Sequence, residues 1–144
     1  MAQSDTAINQ AESAASLPTA MVVEDNKLSR LVLVKNLKRL GYPVIEATNG
    51  LQAIEQLRHH PEIGIILMDI KMEEMNGLEA TQYIRSFNQE VVIIMQTGFV
   101  QDATREEAFA AGCDGFLDKP VDQQVLREYL QRLYPRNINP KPSL

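Results

Sequence analysis

The chain has 144 residues, of which 44% are hydrophobic and 23% are charged, as is typical of one globular domain with a proper core. Its formal net charge of −5 argues against a nucleic-acid partner or binding to an anionic membrane. The single cysteine, Cys113, excludes an internal disulfide and a cysteine-rich metal site and fits a reducing cytoplasm. No apolar run reaches transmembrane length, and the N-terminus lacks the basic start and apolar stretch of a secretory signal.

The apolar runs and turn signals along the chain predict five strands, each followed by a helix. Strands are predicted at residues 20–23, 43–47, 63–69, 91–95 and 115–117, where apolar and often β-branched residues run together. Helices are predicted at residues 27–40, 78–87, 102–111 and 122–133, and a further helix is marked by Leu51, Ile54 and Leu57. Residues 1–18 are predicted to be a flexible extension, and residues 135–144 a tail.

The alternation of strands and helices over residues 19–134 predicts one α/β domain. Short connections favour a doubly wound, five-stranded parallel sheet with helices on both faces. The strand at residues 63–69 is an apolar run without alternation, which is typical of a strand buried on both faces. It ends in Asp69, and open α/β sheets place their ligands at such carboxyl ends. Considered alone, Asp69 fits a turn-capping role equally well.

The first predicted helix carries more apolar residues than one core-facing stripe requires. Four of them can share one face at helical spacing, namely Val32, Leu33, Leu37 and Leu40. Three others fall largely outside that face, namely Leu28, Leu31 and Val34. The pattern fits either a wide core stripe or a surface that docks a partner protein.

Polar side chains follow four of the five predicted strands. They are Glu24 and Asp25 after the first, Asp69 after the third, Thr97 after the fourth and Lys119 after the fifth. The carboxyl ends of parallel strands lie along one edge of the sheet. If the first and third strands are adjacent, three carboxylates meet there, and they raise one another's pKa unless a cation compensates. Mg²⁺ fits best, because it keeps several waters and uses few protein carboxylates.

A carboxylate, Mg²⁺, a hydroxyl and an ammonium together describe a phosphoryl site. The metal and Lys119 would neutralise phosphoryl oxygens, and Thr97 would donate a hydrogen bond to one of them. Asp69 would attack phosphorus and form an aspartyl phosphate. Each residue alone fits an ordinary loop or strand-end role, but their joint occurrence at successive strand ends favours the phosphoryl site.

Four segments resemble the receiver domain of two-component response regulators. They are VVEDN at 22–26, LMDIKMEEMNG at 67–77, QTG at 96–98 and GFLDKP at 115–120. Their order and spacing agree with that family over about residues 19–134. The resemblance implies the flavodoxin-like strand order 2-1-3-4-5.

The resemblance also implies a role for each candidate site residue. Asp69 would accept the phosphoryl group, and Lys119, before a cis proline, would bind it. Glu24, Asp25 and Asp69 would hold Mg²⁺ together with the backbone carbonyl of Lys71. Thr97 and Phe116 would be the switch residues. Glu73 stands where the family usually has proline, so the loop after Asp69 carries an extra negative charge.

The function implied is a phosphorylation switch that catalyses only its own phosphotransfer and dephosphorylation. A histidine kinase or histidine phosphotransfer protein would donate the phosphoryl group, with Leu28 and Leu31 as candidates for docking it. The modification would alter contacts with a downstream protein through the fourth helix, fifth strand and last helix. A free-standing regulator and a receiver segment of a hybrid kinase fit the sequence equally.

Three alternatives to this switch remain. An aspartate-nucleophile phosphohydrolase would usually have a second aspartate two residues after Asp69, where this chain has Lys71. A flavodoxin-like FMN carrier would need a phosphate-binding loop where Glu24 and Asp25 would repel phosphate. A receiver used only as a constitutive binding module would not need the complete set of chemical residues found here.

Overall fold

The computed structural model describes residues 17–98 and 105–134, and strands and helices alternate along them. The strands are β1 (Thr19–Val23), β2 (Val44–Ala47), β3 (Ile63–Asp69), β4 (Val92–Thr97) and β5 (Gly115–Asp118). The helices are α1 (Lys27–Arg39), α2 (Gly50–His59), α3 (Gly77–Arg85), α4 (Arg105–Ala111) and α5 (Gln123–Leu133). The start predicted for the helix at 102–111, the predicted tail and all but the last two residues of the predicted extension lie outside the described residues.

The strands form one parallel sheet in the order β2-β1-β3-β4-β5, which confirms the predicted α/β class and strand order. The register places Val23 beside Met68 and Asp69 beside Gln96, so β1, β3 and β4 end close together. Strand β4 runs further than predicted, because Gln96 and Thr97 still pair with β3 and β5. These polar residues are therefore fixed in the sheet itself rather than in a loop.

The sheet separates two apolar clusters, which confirms that helices cover both faces. Successive strand residues point to opposite faces, so Ile93 and Met95 belong to one cluster and Val92 and Ile94 to the other. The first cluster also contains residues of α2, α3 and α4, and the second contains residues of α1 and α5. This double coverage explains why β3 and β4 are apolar without alternation. None of the helices within the described ranges is long and apolar enough to cross a membrane.

Helix α1 differs from its prediction in which residues face the core. Leu33, Val34 and Leu37 are buried, whereas Val32 is 56% exposed. The predicted grouping, which placed Val32 on one face with Leu33 and Leu37 and Val34 outside that face, was therefore wrong. Val32 and Val34 lie on opposite sides of Leu33, each about 100° around the helix from it, and the side that carries Val34 is the one buried with Leu37.

Candidate functional site

Three carboxylates meet at the carboxyl edge of the sheet, as the sequence predicted. Glu24 and Asp25 directly follow β1, and Asp69 ends the neighbouring strand β3. Each offers one carboxylate oxygen, and these three oxygens all lie within 4.8 Å of one another. Carboxylate oxygens at this spacing suit a hard divalent cation.

Glu24 is almost completely buried and is bound through both carboxylate oxygens. Its Oε1 accepts a hydrogen bond from Lys119 Nζ at 2.5 Å, and its Oε2 accepts one from the Asn26 N–H at 3.1 Å. Burial alone would raise the pKa of Glu24, but the hydrogen bonds from Lys119 and Asn26 outweigh burial and lower it. Glu24 is therefore held as a carboxylate.

Asp69 is 5% exposed, and burial is the main reason that its pKa is raised to about 7. The charge of Glu24 raises this pKa further, whereas the Lys119 ammonium, 3.1 Å from Asp69 Oδ1, opposes the rise. The pKa of the exposed Asp25 is also raised, by partial burial and then by Glu24. Among the described residues, the Lys119 ammonium pairs with Glu24 and Asp69, and a divalent cation would relieve the negative charge that remains on the three carboxylates.

Lys119 pairs with the two buried carboxylates, Glu24 and Asp69. It follows β5, and its backbone N–H donates to the Thr97 carbonyl at 2.8 Å. The Lys119–Pro120 peptide is cis, as the resemblance implied. Contacts with Glu24 and Asp69 raise the pKa of Lys119 although burial alone would lower it, so the side chain is a firmly protonated cation.

The two predicted switch residues lie on neighbouring strands. Thr97 is buried at the end of β4, and Phe116 is buried in β5. The guanidinium carbon of Arg105, on α4, lies 5.4 Å from the centre of the Phe116 ring, a cation–π distance. This contact joins α4 to the strand that carries Phe116.

The loop between β3 and α3 folds back tightly onto Asp69. A Cβ atom at Gly77 would overlap the backbone carbonyl oxygen of Asp69, so only glycine fits there. Glu74 has a φ of 68°, which is unusual for a residue other than glycine. Glu73 and Lys71 are both exposed in this loop, and the ligand role of the Lys71 carbonyl stays a prediction.

A groove of about 370 Å³ opens beside the acidic cluster, between α1 and the segment after β5. Its lining residues are Leu28, Ser29, Val32, Leu33, Gln96, Lys119, Pro120 and Val121. Leu28 is 74% exposed and Leu31 is 41% exposed, as the docking prediction requires. Leu28 lies at the groove, whereas Leu31 is exposed elsewhere on α1. Because Lys119 contributes to both the groove and the acidic cluster, the two are continuous.

The structure brings two further residues to this region that were not among the predicted site residues. Gln96 is 2% exposed, and its Nε2 has no hydrogen-bond partner among the described residues. Its signal in the sequence was a polar side chain directly after the apolar run at residues 91–95. Arg30 donates from Nη1 to the Glu24 carbonyl at 2.8 Å and from Nε to Glu46 Oε1 at 3.0 Å. No sequence pattern indicated that contact, because it depends on the pairing of β1 with β2.

Comparison with known proteins supplies the family. Residues 20–131 match the response regulator receiver domain. The polar-differentiation response regulator DivK of Brucella ovis is 32% identical over 119 residues, covering 78% of this chain and 95% of DivK. A probable histidine kinase 1 of Oryza sativa subsp. indica is also 32% identical, over 148 residues, but the match covers 80% of this chain and only 15% of that kinase.

Solved structures agree with this assignment. The receiver domain of a sensor histidine kinase from Pseudomonas aeruginosa PAO1, which has a magnesium ion coordinated in its active site cleft, superposes with a TM-score of 0.74 at 31% identity, covering 81% of this chain and 96% of that one. A CheY-like receiver domain from Methylobacillus flagellatus shares the fold, with a TM-score of 0.73 at 23% identity. Because the family match covers most of the chain, this protein belongs to the response regulator receiver domain family of two-component systems.

Proposed function

We propose that this receiver domain is a phosphorylation-activated switch that accepts a phosphoryl group on Asp69 from a phosphohistidine of a histidine kinase or histidine phosphotransfer protein. One observation carries the proposal. Asp69 lies in contact with Lys119 Nζ and within reach of the Glu24 and Asp25 carboxylates, at the carboxyl edge of the sheet. This combination joins a nucleophile, a cation for phosphoryl oxygens and a set of metal ligands.

The acidic cluster fits Mg²⁺. Glu24, Asp25 and Asp69 would hold the ion, with the Lys71 carbonyl as a further protein ligand. The raised pKa values of Asp69 and Asp25 fit this role, because burial and then the charge of Glu24 disfavour their ionised forms, which a bound cation would favour. When bound, Mg²⁺ would neutralise negative charge on the phosphoryl oxygens and favour ionised Asp69.

The chain's own residues account for the transfer. A carboxylate oxygen of Asp69 would attack phosphorus, the bond between phosphorus and the donor's imidazole nitrogen would break, and its electron pair would leave with that nitrogen. Lys119, which pairs with Asp69, would then pair with a phosphoryl oxygen. The Thr97 hydroxyl, at the end of the neighbouring strand, would donate a hydrogen bond to another.

The output would be a change in protein contacts. The added phosphoryl charge would draw Thr97 and Lys119 toward Asp69, and Phe116 on β5 would respond through its packing and its contact with Arg105. The responding surface would be α4, β5 and α5, which a downstream protein would contact. Because the chain has a net charge of −5, we propose that its partners are proteins of the cytoplasm and that it binds neither nucleic acid nor membranes. The only catalysis proposed is the domain's own phosphotransfer and dephosphorylation.

The chemical test uses acetyl phosphate with and without Mg²⁺, followed by intact-mass measurement. We expect a single phosphoryl adduct that requires Mg²⁺ and is absent from Asp69→Asn. Asp118→Asn is the matched control, because Asp118 is exposed at the end of β5 on the same edge. An adduct that persists in Asp69→Asn, or that forms equally without Mg²⁺, would contradict the proposal.

The docking test uses a phosphorylated histidine phosphotransfer protein as donor. Replacing Leu28 and Leu31 with alanine is expected to slow transfer from this protein and to leave labelling by acetyl phosphate unchanged. Leu51→Ala is the control, because Leu51 is 49% exposed on α2, away from the groove. Unchanged transfer in the double variant would rule out docking through these two leucines.

A further inference from the structure

We propose that Arg30 is a positioning residue that holds the Glu24–Asp25 peptide in the orientation needed for metal binding. The inference rests on the proposed function, because it concerns the same acidic cluster. Arg30 itself need not contact the metal or the phosphoryl group. It would act through the backbone between two carboxylates.

The Arg30 side chain is held from two directions. Its Nη1 donates to the Glu24 carbonyl at 2.8 Å, and its Nε donates to Glu46 Oε1 at 3.0 Å. The Arg30 side chain is only 15% exposed, and Glu46, on β2, is 47% exposed. The planar guanidinium presents several donors in a fixed arrangement, so it can bridge these two acceptors where a lysine ammonium would be a single point.

The position of the contact explains its consequence. The Glu24 carbonyl belongs to the peptide bond that joins Glu24 to Asp25, the two acidic residues of the cluster that follow β1. The Asp25 side chain is exposed, so packing constrains its direction little. The orientation of the Asp25 backbone therefore determines where the carboxylate points. Fixing this peptide therefore preorganises both carboxylates, and outer hydrogen bonds of this kind commonly set metal affinity.

The charge of Arg30 and its hydrogen bonds are expected to change Mg²⁺ affinity in opposite directions, so the two effects can be separated by experiment. Arg30 is a cation near a site for another cation, so its charge alone weakens Mg²⁺ binding. If positioning dominates, removing the guanidinium weakens binding despite the lost charge. Arg30→Lys keeps the charge and loses the bridge, and Arg30→Gln loses both.

The experiment measures Mg²⁺ affinity by isothermal titration calorimetry, with Mg²⁺ alone as the probe. We expect Arg30→Lys and Arg30→Gln each to weaken binding by roughly tenfold, as loss of an outer-shell partner does elsewhere. Arg39→Gln is the matched control, because it removes the same charge from an exposed position on the same helix, and it should leave the affinity unchanged. Glu46→Ala removes one anchor of Arg30 and should weaken binding less.

A second readout separates positioning from a general loss of structure. The Asn26 N–H donates to Glu24 Oε2 at 3.1 Å, so hydrogen exchange at this amide should accelerate in Arg30→Lys, while amides of β3 and β4 stay protected. Unchanged affinity in Arg30→Lys, or tighter binding in Arg30→Gln, would overturn the positioning role. If Arg30→Lys does not fold, an unchanged affinity in Glu46→Ala would also overturn it. Failure of the unaltered protein to bind Mg²⁺ would overturn the proposed function as well.

Discussion

Lys119 Nζ lies 3.1 Å from Asp69 Oδ1, although Asp69 ends β3, Lys119 follows β5, and β4 lies between these strands. The same ammonium lies 2.5 Å from Glu24 Oε1. One cation therefore pairs with two buried carboxylates, and the site keeps an excess of negative charge. The first two predictions follow from this imbalance.

Replacing Asp69 with asparagine is expected to stabilise the metal-free protein most at high pH. The folded-state pKa of Asp69 is raised to about 7, against about 4 in an unfolded chain. Between these values the folded protein binds more protons than the unfolded chain, so the free energy of unfolding falls as pH rises. Asparagine does not ionise, so the variant does not lose stability in this way. We expect its free energy of unfolding to exceed that of the unaltered protein by about 2–4 kcal/mol at about pH 8, and this gain should shrink toward zero at about pH 4.

Urea denaturation without Mg²⁺ at both pH values checks this expectation. Asp118→Asn serves as the comparison, since it removes a charge from an exposed position at the same edge of the sheet. The same gain for Asp69→Asn at both pH values would mean that ionisation of Asp69 is not what costs stability.

Replacing Lys119 with methionine is expected to weaken the metal-free fold and to strengthen Mg²⁺ binding. The variant leaves Glu24 and Asp69 without their shared cation, which should cost about 2 kcal/mol at about pH 8. Mg²⁺ would no longer compete with an ammonium for Glu24, so we expect several-fold tighter binding. Denaturation with and without Mg²⁺ and calorimetry measure both effects. Lys35→Met, at an exposed position of α1, is the control and should change neither the stability nor the Mg²⁺ affinity. Weaker Mg²⁺ binding by Lys119→Met would show that competition between Lys119 and Mg²⁺ for Glu24 is unimportant.

A second ion pair, between the largely buried side chains of Arg85 and Asp114, should stabilise the fold without affecting the acidic cluster. Arg85 Nη2 donates to Asp114 Oδ2 at 2.8 Å, and this oxygen also accepts from the Ile93 N–H at 3.0 Å. Arg85 donates further to the carbonyls of Gly112 at 2.8 Å and Val91 at 2.7 Å. These contacts join α3 to the amino ends of β4 and β5, opposite the acidic cluster.

Arg85→Met is therefore expected to lower the free energy of unfolding by about 3 kcal/mol, because it removes a guanidinium that pairs with a largely buried carboxylate. Mg²⁺ affinity should be unchanged in the folded fraction. Urea denaturation and calorimetry on the same samples measure the two quantities. Arg127→Met, at an exposed position of α5, is the control, and a shifted Mg²⁺ affinity in Arg85→Met would show that the two edges of the sheet are coupled.

Features that depend on a local pattern could be predicted from the sequence, but contacts between distant segments of the chain could not. Asp69 and Lys119 could be placed because each follows an apolar run that the structure shows as a buried strand. The strand order came from family resemblance, since apolar runs alone do not say which strands are neighbours. Val32 and Val34 were exchanged because they flank Leu33 on opposite sides of α1, and spacing alone did not show which side is buried. The contact between Arg30 and Glu46 could not be predicted, because it crosses from α1 to β2.

Replacing Gln96 with methionine is expected to stabilise the protein. Gln96 is buried between Asp69 and Leu117 of the neighbouring strands, and its Nε2 has no hydrogen-bond partner in the described part of the chain. An unsatisfied buried donor costs about 1–3 kcal/mol, and methionine has a similar length without the polar group. We expect a gain of about 1 kcal/mol in urea denaturation with unchanged Mg²⁺ affinity. Ile94→Met changes a buried β4 position on the same face, so it provides the control and should show no gain. A loss of stability in Gln96→Met would indicate that the amide is bound by an ordered water inside the fold.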